Sequence, residues 1–161
     1  MVKPYFLTIK FTVMGNYRKL SQTEYKCEYH IVWTPKYRYK ILKGEIASQI
    51  MRDIHTLSSM KDVLVEELSV QEDHVHLHCS VPPKVSLSNY MGFLKGKIAI
   101  KIFRSYPKLK QKLYWGNHFW SRGYFVSTIG LDEELIRRYI RYQEKNDRDQ
   151  EKRDSGQNTL F

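Results

Sequence analysis

The stretch "HVHLHC", residues 74–79, alternates imidazole and apolar side chains one residue at a time. A period of two is typical of a β-strand, because successive side chains of a strand point to opposite faces of the sheet. His74, His76 and His78 therefore share one face, while Val75 and the apolar residues after it share the other. We expect the apolar face to pack under helices and the histidine face to remain open.

The segments around this strand predict an α+β domain. In chain order they begin with a strand over 28–34, a helix after Gly44, a strand over 63–70 and the histidine strand. A helix capped by Ser86 or Ser88 and ended by Pro107 follows, and then come an extended segment over 119–130 and a last helix from about Asp132. The short turn at 71–73 makes the second and third strands a hairpin. This order predicts a ferredoxin-like or RRM-like (RNA-recognition-motif) antiparallel sheet, with two helices on one face and a further helix at the carboxyl end.

The charge balance points to a polyanionic partner. Lys and Arg number 27 against 17 Asp and Glu, a formal charge of +10, and aromatic residues make up 14% of the chain. Bases stack on aromatic rings, which favours nucleic acid over a lipid surface. An ordinary basic surface is the alternative. Cys27 and Cys79 form no CxxC motif and no apolar run has the length of a membrane span, so we expect a cytoplasmic protein with no membrane partner.

Both ends of the chain are expected to lie outside the domain. Residues 1–24 read as an extension; Lys10 interrupts their apolar run and no small-residue cleavage site follows, so they do not resemble a signal peptide. Met14 is a hypothetical natural start. We place the domain at residues 25–147 and expect a disordered polar tail over 148–161.

Two polar patterns suggest chemistry. An HxH pair on an open strand face can bind one metal ion, although strand histidines are also common as hydrogen-bonded or solvated residues. In the last helix Tyr139 and Gln143 lie one turn apart on the apolar stripe. A buried amide there needs a partner, which a metal ion beside the phenol could supply. A core tyrosine with a boundary glutamine is the alternative.

Together these residues resemble a known family. The segments "DHVHL", "PPKVSLSNYMGFLKGKIAIKIF", "FWSRGYFVSTIG" and "IRRYIRYQ" are similar to the TnpA-like HUH single-tyrosine transposases of the IS-two-hundred/IS-six-hundred-five insertion sequences. "YHIVWTPKYRYKIL" resembles the first strand and basic loop of that family. The match runs in the order of the family from about Tyr25 to Gln143.

The resemblance implies a mechanism and a site. It implies metal ligands His74, His76 and Gln143, a nucleophile Tyr139, and Mg²⁺ as the ion, with Mn²⁺ as a substitute. His78 stands where relatives usually carry an apolar residue, so its role is open. The implied reaction cleaves and rejoins single-stranded DNA through a 5′-phosphotyrosine. The implied partners are DNA hairpins at insertion-sequence ends and a second copy of the chain, with the tyrosine helix exchanged within the homodimer.

Six basic residues and one tyrosine are the candidates for holding the DNA. They are Lys36, Tyr37, Arg38, Lys95, Lys97, Lys101 and Arg122. Two other functions fit parts of the sequence. One is an HUH nuclease that nicks DNA for replication or repeat maintenance. The other is a non-catalytic RRM-like module, which would carry aromatic residues, not histidines, on its central strands.

Overall fold

The computed structural model describes residues 17–112, 118–128, 130 and 132–157. The strands are β1 (Arg18–Leu20), β2 (Thr23–Tyr25), β3 (Glu28–Trp33), β4 (Leu64–Gln71), β5 (His74–Ser80) and β6 (Phe125–Ser127). The α-helices are α1 (Gly44–Ser59), α2 (Leu87–Ser105), α3 (Pro107–Lys112) and α4 (Glu133–Gln157), and a 3-10 turn spans Lys36–Arg38. The order of elements expected from the sequence is confirmed.

Four strands form the main sheet in the order β4-β5-β3-β6, and every neighbouring pair is antiparallel. This is the strand order of a ferredoxin-like fold, in which the first and third strands of the domain lie side by side at the centre. Val32 in β3 is opposite His76 in β5 and opposite Phe125 in β6. Directly opposed residues point to the same face, so these three side chains form one row across the sheet.

One face of this sheet forms the core with α1 and α2. Val75, Leu77 and Cys79 have no exposed surface, and they belong to the same cluster as Ile50 and Ile54 of α1 and as apolar residues of α2. Ser86 caps α2 by accepting a hydrogen bond from the backbone of Asn89, and α2 ends at Ser105, before Pro107. The helix periodicity and the strand alternation in the sequence thus agree on the same core.

The last helix is longer than the sequence suggests. Asp132 caps it, because its Oδ1 accepts hydrogen bonds from the backbone nitrogens of Glu134 and Leu135 at 3.0 and 3.2 Å. Residues 148–157, expected to be part of a disordered tail, continue α4 instead. Ion pairs one turn apart, such as Arg148 with Glu144, are one reason that so polar a segment can be helical.

The amino end contains a small hairpin. Strands β1 and β2 pair over Arg18–Tyr25, and all of this hairpin except Tyr25 lies in the region expected to be an extension. Met14, the hypothetical start, and residues 158–161 lie outside the described residues. No helix in the described ranges is both long and apolar enough to cross a bilayer.

Candidate active site and metal centre

The histidine face of β5 is as the alternation predicts. His74, His76 and His78 are each partly buried, while the intervening Val75 and Leu77 are fully buried in the core. Three imidazoles therefore lie in a line on the face away from α1 and α2. The face is not entirely open, because Val32, which lies on it, is completely buried.

His74 is held in place by its neighbour in the sequence. Asp73 Oδ1 is 2.8 Å from His74 Nδ1. When the ring is neutral, Nδ1 donates its proton to this carboxylate and Nε2 is left with a free lone pair, the arrangement typical of a metal-binding histidine. Burial opposes ionisation of Asp73, but hydrogen bonds from His74 and Arg38 hold its pKa below the usual range. The sequence analysis did not assign Asp73 this role.

His30 of β3 is a further member of the cluster that the sequence analysis missed. Its Nδ1 lies 3.4 Å from His76 Nε2, and its ring stacks on His78 with centroids 4.2 Å apart. Burial, together with the neighbouring imidazoles, lowers the pKa of both His30 and His76. A neutral imidazole is the form that binds metal. Alternation within β3 places His30 on this face, but its contacts depend on the pairing register.

Tyr139 and Gln143 are in contact on α4. Gln143 Nε2 donates a hydrogen bond to Tyr139 Oη at 3.1 Å. Gln143 is 6% exposed, and its Oε1 has no hydrogen-bond partner among the described residues. Burial raises the pKa of Tyr139 to about 12, with the charge of Asp147 acting in the same direction and the bond from Gln143 acting against it. The phenol is therefore neutral at ordinary pH.

The tyrosine helix and the histidines lie on the same side of the sheet. The Tyr139 ring packs on Phe125 with centroids 5.8 Å apart. Phe125 belongs to the row that continues through Val32 to His76. Two strand spacings separate the ends of that row, roughly 10 Å. Tyr139 and the histidines of β5, which were expected to form one site, thus lie on the same face of the sheet within a single chain.

The side chains on this face include donor types that divalent ions accept. Among the described residues no three His, Cys, Asp or Glu side chains are grouped so that they could hold a metal ion. The unpartnered Oε1 of Gln143 is a donor atom of another type. Imidazole nitrogens with an amide oxygen suit Mg²⁺ or Mn²⁺, although imidazole also accepts Zn²⁺.

The candidate DNA-binding residues fall into two groups. Four of the seven are buried or already make side-chain hydrogen bonds or ion pairs within the chain. Lys101 pairs with Asp53 at 2.8 Å, and Lys95 Nζ donates to the carbonyls of Ser121 and Gly123 at 2.9 and 2.6 Å. Tyr37 is 7% exposed, and Arg38 binds two carboxylates. The other three are accessible: Lys97 and Arg122 are exposed, and Lys36 is half-buried above the Tyr37 ring.

A buried polar cluster fixes α4 against the end of β3. Asp147 is 4% exposed and accepts hydrogen bonds from the backbone nitrogen of Tyr37 at 3.0 Å and from the Ser121 hydroxyl. Thr34 Oγ1 in turn donates to Ser121 Oγ. Because Ser121 also binds Lys95 through its carbonyl, this cluster joins α2, the segment before β6 and α4. The sequence analysis gave no role to Asp147 or Ser121.

Comparison with known proteins identifies the family. The family model for "Transposase IS200 like" matches residues 23–143. The transposase for insertion sequence element IS200 of Salmonella typhimurium is 37% identical over 135 residues, which cover 84% of this chain and 88% of the relative. The ISDra2 transposase TnpA of Deinococcus radiodurans is 37% identical over 123 residues, 74% of this chain and 85% of the relative.

A solved structure agrees with this result. A candidate transposase from Deinococcus radiodurans R1 is 30% identical and superimposes with a TM-score of 0.71, covering 78% of this chain and 97% of that chain. The ferredoxin-like architecture read from the strand order is thus shared with a member of the same group. The resemblance seen in the sequence is confirmed, and the chain belongs to the IS200-like transposase family.

Proposed function

We propose that this protein cleaves and rejoins single-stranded DNA at insertion-sequence ends through a covalent bond to Tyr139. The observation that carries the proposal is the Tyr139–Gln143 pair, in which a partly buried phenol contacts an amide whose oxygen has no partner among the described residues. An unsatisfied buried acceptor is unfavourable by about 1–3 kcal/mol, so its retention favours a functional role. A metal ion bound there would satisfy that acceptor beside the nucleophile.

His74, His76 and Gln143 would hold the ion. A divalent cation bound there would supply Lewis-acid polarisation of the scissile phosphate and would stabilise the negative charge that develops in the transition state. Contacts within the chain act on two of these ligands without any metal. Asp73 fixes the His74 ring, and burial keeps His76 neutral.

Tyr139 would attack the phosphorus. With a pKa of about 12, roughly one phenol in a hundred thousand is ionised at neutral pH, so its proton has to leave as the bond forms. The Oη–P bond forms while the P–O3′ bond breaks, and the departing 3′ oxygen takes up a proton. Gln143 Nε2 orients Oη by donating to one of its lone pairs. The phosphotyrosine retains the energy of the broken diester, so another 3′-hydroxyl can reverse the step and join new ends.

The exposed cations would bind the backbone of a DNA hairpin. The chain carries a formal charge of +10, and Lys97 and Arg122 are solvent-exposed and have no ion-pair partner among the described residues. Phosphate contacts set the position of the nucleic acid, while base contacts select the sequence. We keep Lys36, Lys97 and Arg122 as the phosphate-binding set, because the other candidates are engaged within the chain.

The proposal extends to a homodimer in which α4 is exchanged between protomers. Mixing Tyr139→Phe with His76→Ala tests this extension. If the helix acts in the partner's site, the mixed dimer contains one site with both groups intact and regains adduct formation. If the helix acts on its own sheet, neither site is complete and the mixture stays inactive, which would overturn the exchange.

A covalent-adduct assay tests the function. A 3′-labelled single-stranded oligonucleotide carrying a hairpin and an element end is incubated with protein and Mg²⁺ or Mn²⁺, then denatured and resolved by size. We expect labelled protein with wild type and none with Tyr139→Phe. Tyr142→Phe is the matched control, since Tyr142 is three residues away on the same helix and 62% exposed. Equal adduct with Tyr139→Phe would remove Tyr139 from its role.

A further inference from the structure

The 3-10 turn has an unusual backbone. Two consecutive residues with side chains, Tyr37 and Arg38, adopt positive φ angles of 60° and 53°. The left-handed region is unfavourable for such residues and is retained where surrounding contacts impose it, commonly at functional sites. Here the ring of Tyr37 is buried and its backbone nitrogen is bound by Asp147 of α4. This conformation directs the Arg38 side chain toward two other elements.

Arg38 lies between two carboxylates from different parts of the fold. Its Nε is 2.7 Å from Asp73 Oδ2, and its Nη1 is 3.4 Å from Glu144 Oε2. Asp73 belongs to the turn that leads into β5, whereas Glu144 is on α4. An arginine presents several donors in a fixed planar arrangement, so one side chain can hold both groups at once.

The contact with Asp73 leads directly to His74. One oxygen of Asp73 accepts from Arg38 and the other faces His74 Nδ1 at 2.8 Å. With both oxygens engaged, rotation of the carboxylate away from the imidazole would break the bond to Arg38. Arg38 is therefore linked through Asp73 to the His74 ring, whose orientation and free nitrogen a carboxylate partner can set.

The contact with Glu144 leads to the other half of the site. Glu144 follows Gln143 in the sequence and lies within two turns of Tyr139 on α4. The same short turn binds α4 a second time, through the backbone nitrogen of Tyr37 and Asp147. One turn of the chain thus touches the strand bearing His74 and the helix bearing Tyr139.

We infer that Arg38 is a positioning residue, which sets the orientation of His74 and the placement of the tyrosine helix at the same time, and does not bind DNA phosphate. The inference rests on the function proposed above for His74 and Tyr139. It replaces the role expected for Arg38 from its basic surroundings in the sequence. The Arg38 side chain is about one-third exposed, and its guanidinium is paired with two carboxylates, which oppose the approach of a phosphate.

Three variants separate the two contacts. Asp73→Asn alters the His74 side only, Glu144→Gln alters the α4 side only, and Arg38→Met alters both. Arg38→Lys keeps the charge but loses the planar pair of donors. Arg104→Met is the matched control, because Arg104 is an exposed arginine on α2, which covers the opposite face of the sheet.

Two measurements on the metal-free protein come first. Long-range proton–nitrogen NMR reports which nitrogen of neutral His74 carries the proton, and hydrogen exchange reports the opening of α4. We expect wild type to hold the Nδ1–H tautomer, and Arg38→Met and Asp73→Asn to give a mixture of tautomers. We expect exchange around Gln143 to accelerate roughly two- to fivefold in Arg38→Met and Glu144→Gln, as for loss of a partly exposed ion pair.

Metal and DNA affinity complete the test. Outer contacts to a metal-binding histidine typically change affinity about 10- to 100-fold, so we expect a loss in that range for Mn²⁺ in Arg38→Met and a smaller loss in Arg38→Lys. Affinity for a hairpin oligonucleotide without metal should match that of Arg104→Met. The inference is overturned if Arg38→Met weakens hairpin binding while Mn²⁺ affinity and the His74 tautomer remain those of wild type.

The outcomes distinguish this inference from the proposed function. If wild type forms the adduct and Arg38→Met changes neither the tautomer nor the exchange, Arg38 has no positioning role and the function stands. If the tautomer and the exchange respond as expected but no adduct forms with wild type, the contacts of Arg38 are right and the proposed reaction is wrong. Because these two measurements need neither metal nor DNA, they are informative in both cases.

Discussion

The amide nitrogen of Gln143 lies 3.1 Å from the phenolic oxygen of Tyr139, while the amide oxygen of the same residue is buried without a hydrogen-bond partner among the described residues. One side chain therefore orients the nucleophile and presents an unused donor atom next to it. A buried amide oxygen without a partner is uncommon in folded proteins, which favours a functional role for Gln143. This relationship connects the packing of α4 with the chemistry of the site.

Replacing Gln143 should separate function from stability. Gln143→Met removes the orphaned oxygen and one hydrogen bond together, and these effects oppose each other, so we expect the free energy of unfolding without metal to change by less than about 1 kcal/mol. Mn²⁺ affinity should fall at least about tenfold, because a ligand is lost. Chemical denaturation and calorimetric titration measure the two quantities. Unchanged Mn²⁺ affinity would exclude Gln143 as a ligand.

Replacing His76 and replacing His78 should affect metal affinity differently. We expect His76→Ala to reduce Mn²⁺ affinity at least about tenfold and His78→Ala to have a much smaller effect, because His78 stacks on His30 and lies 3.6 Å from Glu28, away from the Asp73 end of β5. Calorimetric titration of both variants makes the comparison under identical conditions. A greater loss of Mn²⁺ affinity in His78→Ala than in His76→Ala would place the metal site at the other end of the strand.

The phenol of Tyr139 should ionise only at very high pH. Its pKa is raised to about 12 by burial, above the value near 10 of an unfolded chain. A folded-state pKa above the unfolded one stabilises the protein below the unfolded pKa, and this contribution is lost as the pH rises from about 10 to about 12. Ultraviolet titration of wild type minus Tyr139→Phe should show one tyrosine ionising near the top of this range. Ionisation near pH 10 would mean that the phenol is solvated.

Lys95 should make the stability of the protein depend on pH in the opposite direction, and over a lower pH range. Burial lowers its pKa to about 8, well below the usual value of 10.5 for a lysine. The unfolded chain then binds more protons between these two values, so stability should increase as the pH rises from about 8 to 10.5. Denaturation of wild type and Lys95→Met across this range isolates the effect. If the free energy of unfolding changes with pH in the same way for both proteins, burial does not lower the pKa of Lys95.

Sequence patterns predicted the parts of the site that depend on local periodicity. Alternation placed His74 and His76 on one face of β5, and the four-residue spacing placed Tyr139 beside Gln143. Both patterns follow from backbone geometry alone, so they are visible without a structure. The ligand set itself came from the family resemblance, and it stays a prediction.

The contacts of Arg38 and His30 could not be predicted in the same way. His30 meets His76 through the register of β3 on β5, and Arg38 reaches Asp73 and Glu144 from 35 and 106 residues away in the chain. Such contacts depend on how the elements pack. A basic, aromatic loop suggested DNA binding for Arg38, because composition does not reveal which charges are already paired.

The length of α4 also could not be predicted from the composition of the sequence. Residues 148–157 are almost entirely polar, which favours disorder in isolation. In the structure they extend a helix that is already anchored by the buried Asp147 and by Ile140. Propagating an existing helix is far less costly than starting one, so the tail adopts the helical state of the segment before it.

Binding of DNA should depend steeply on salt. Each phosphate contact contributes about 0.7 to 0.9 to the slope of log affinity against log salt, so Lys97→Ala and Arg122→Ala should each lower the slope by about that amount. Lys101→Ala is the matched control, since Lys101 is paired with Asp53 and should change the slope less. A slope that is equally affected by all three variants would contradict the division into free and engaged cations.

The most direct test of the central claim is to locate the DNA on the protein by mass spectrometry. Cleavage after arginine and lysine releases Tyr139 in the peptide 139–141 and Tyr142 in the peptide 142–145, so the two tyrosines can be told apart. We expect the nucleotide remnant of the covalent adduct on the peptide containing Tyr139. A remnant on the peptide containing Tyr142, or on any other residue, would contradict the account.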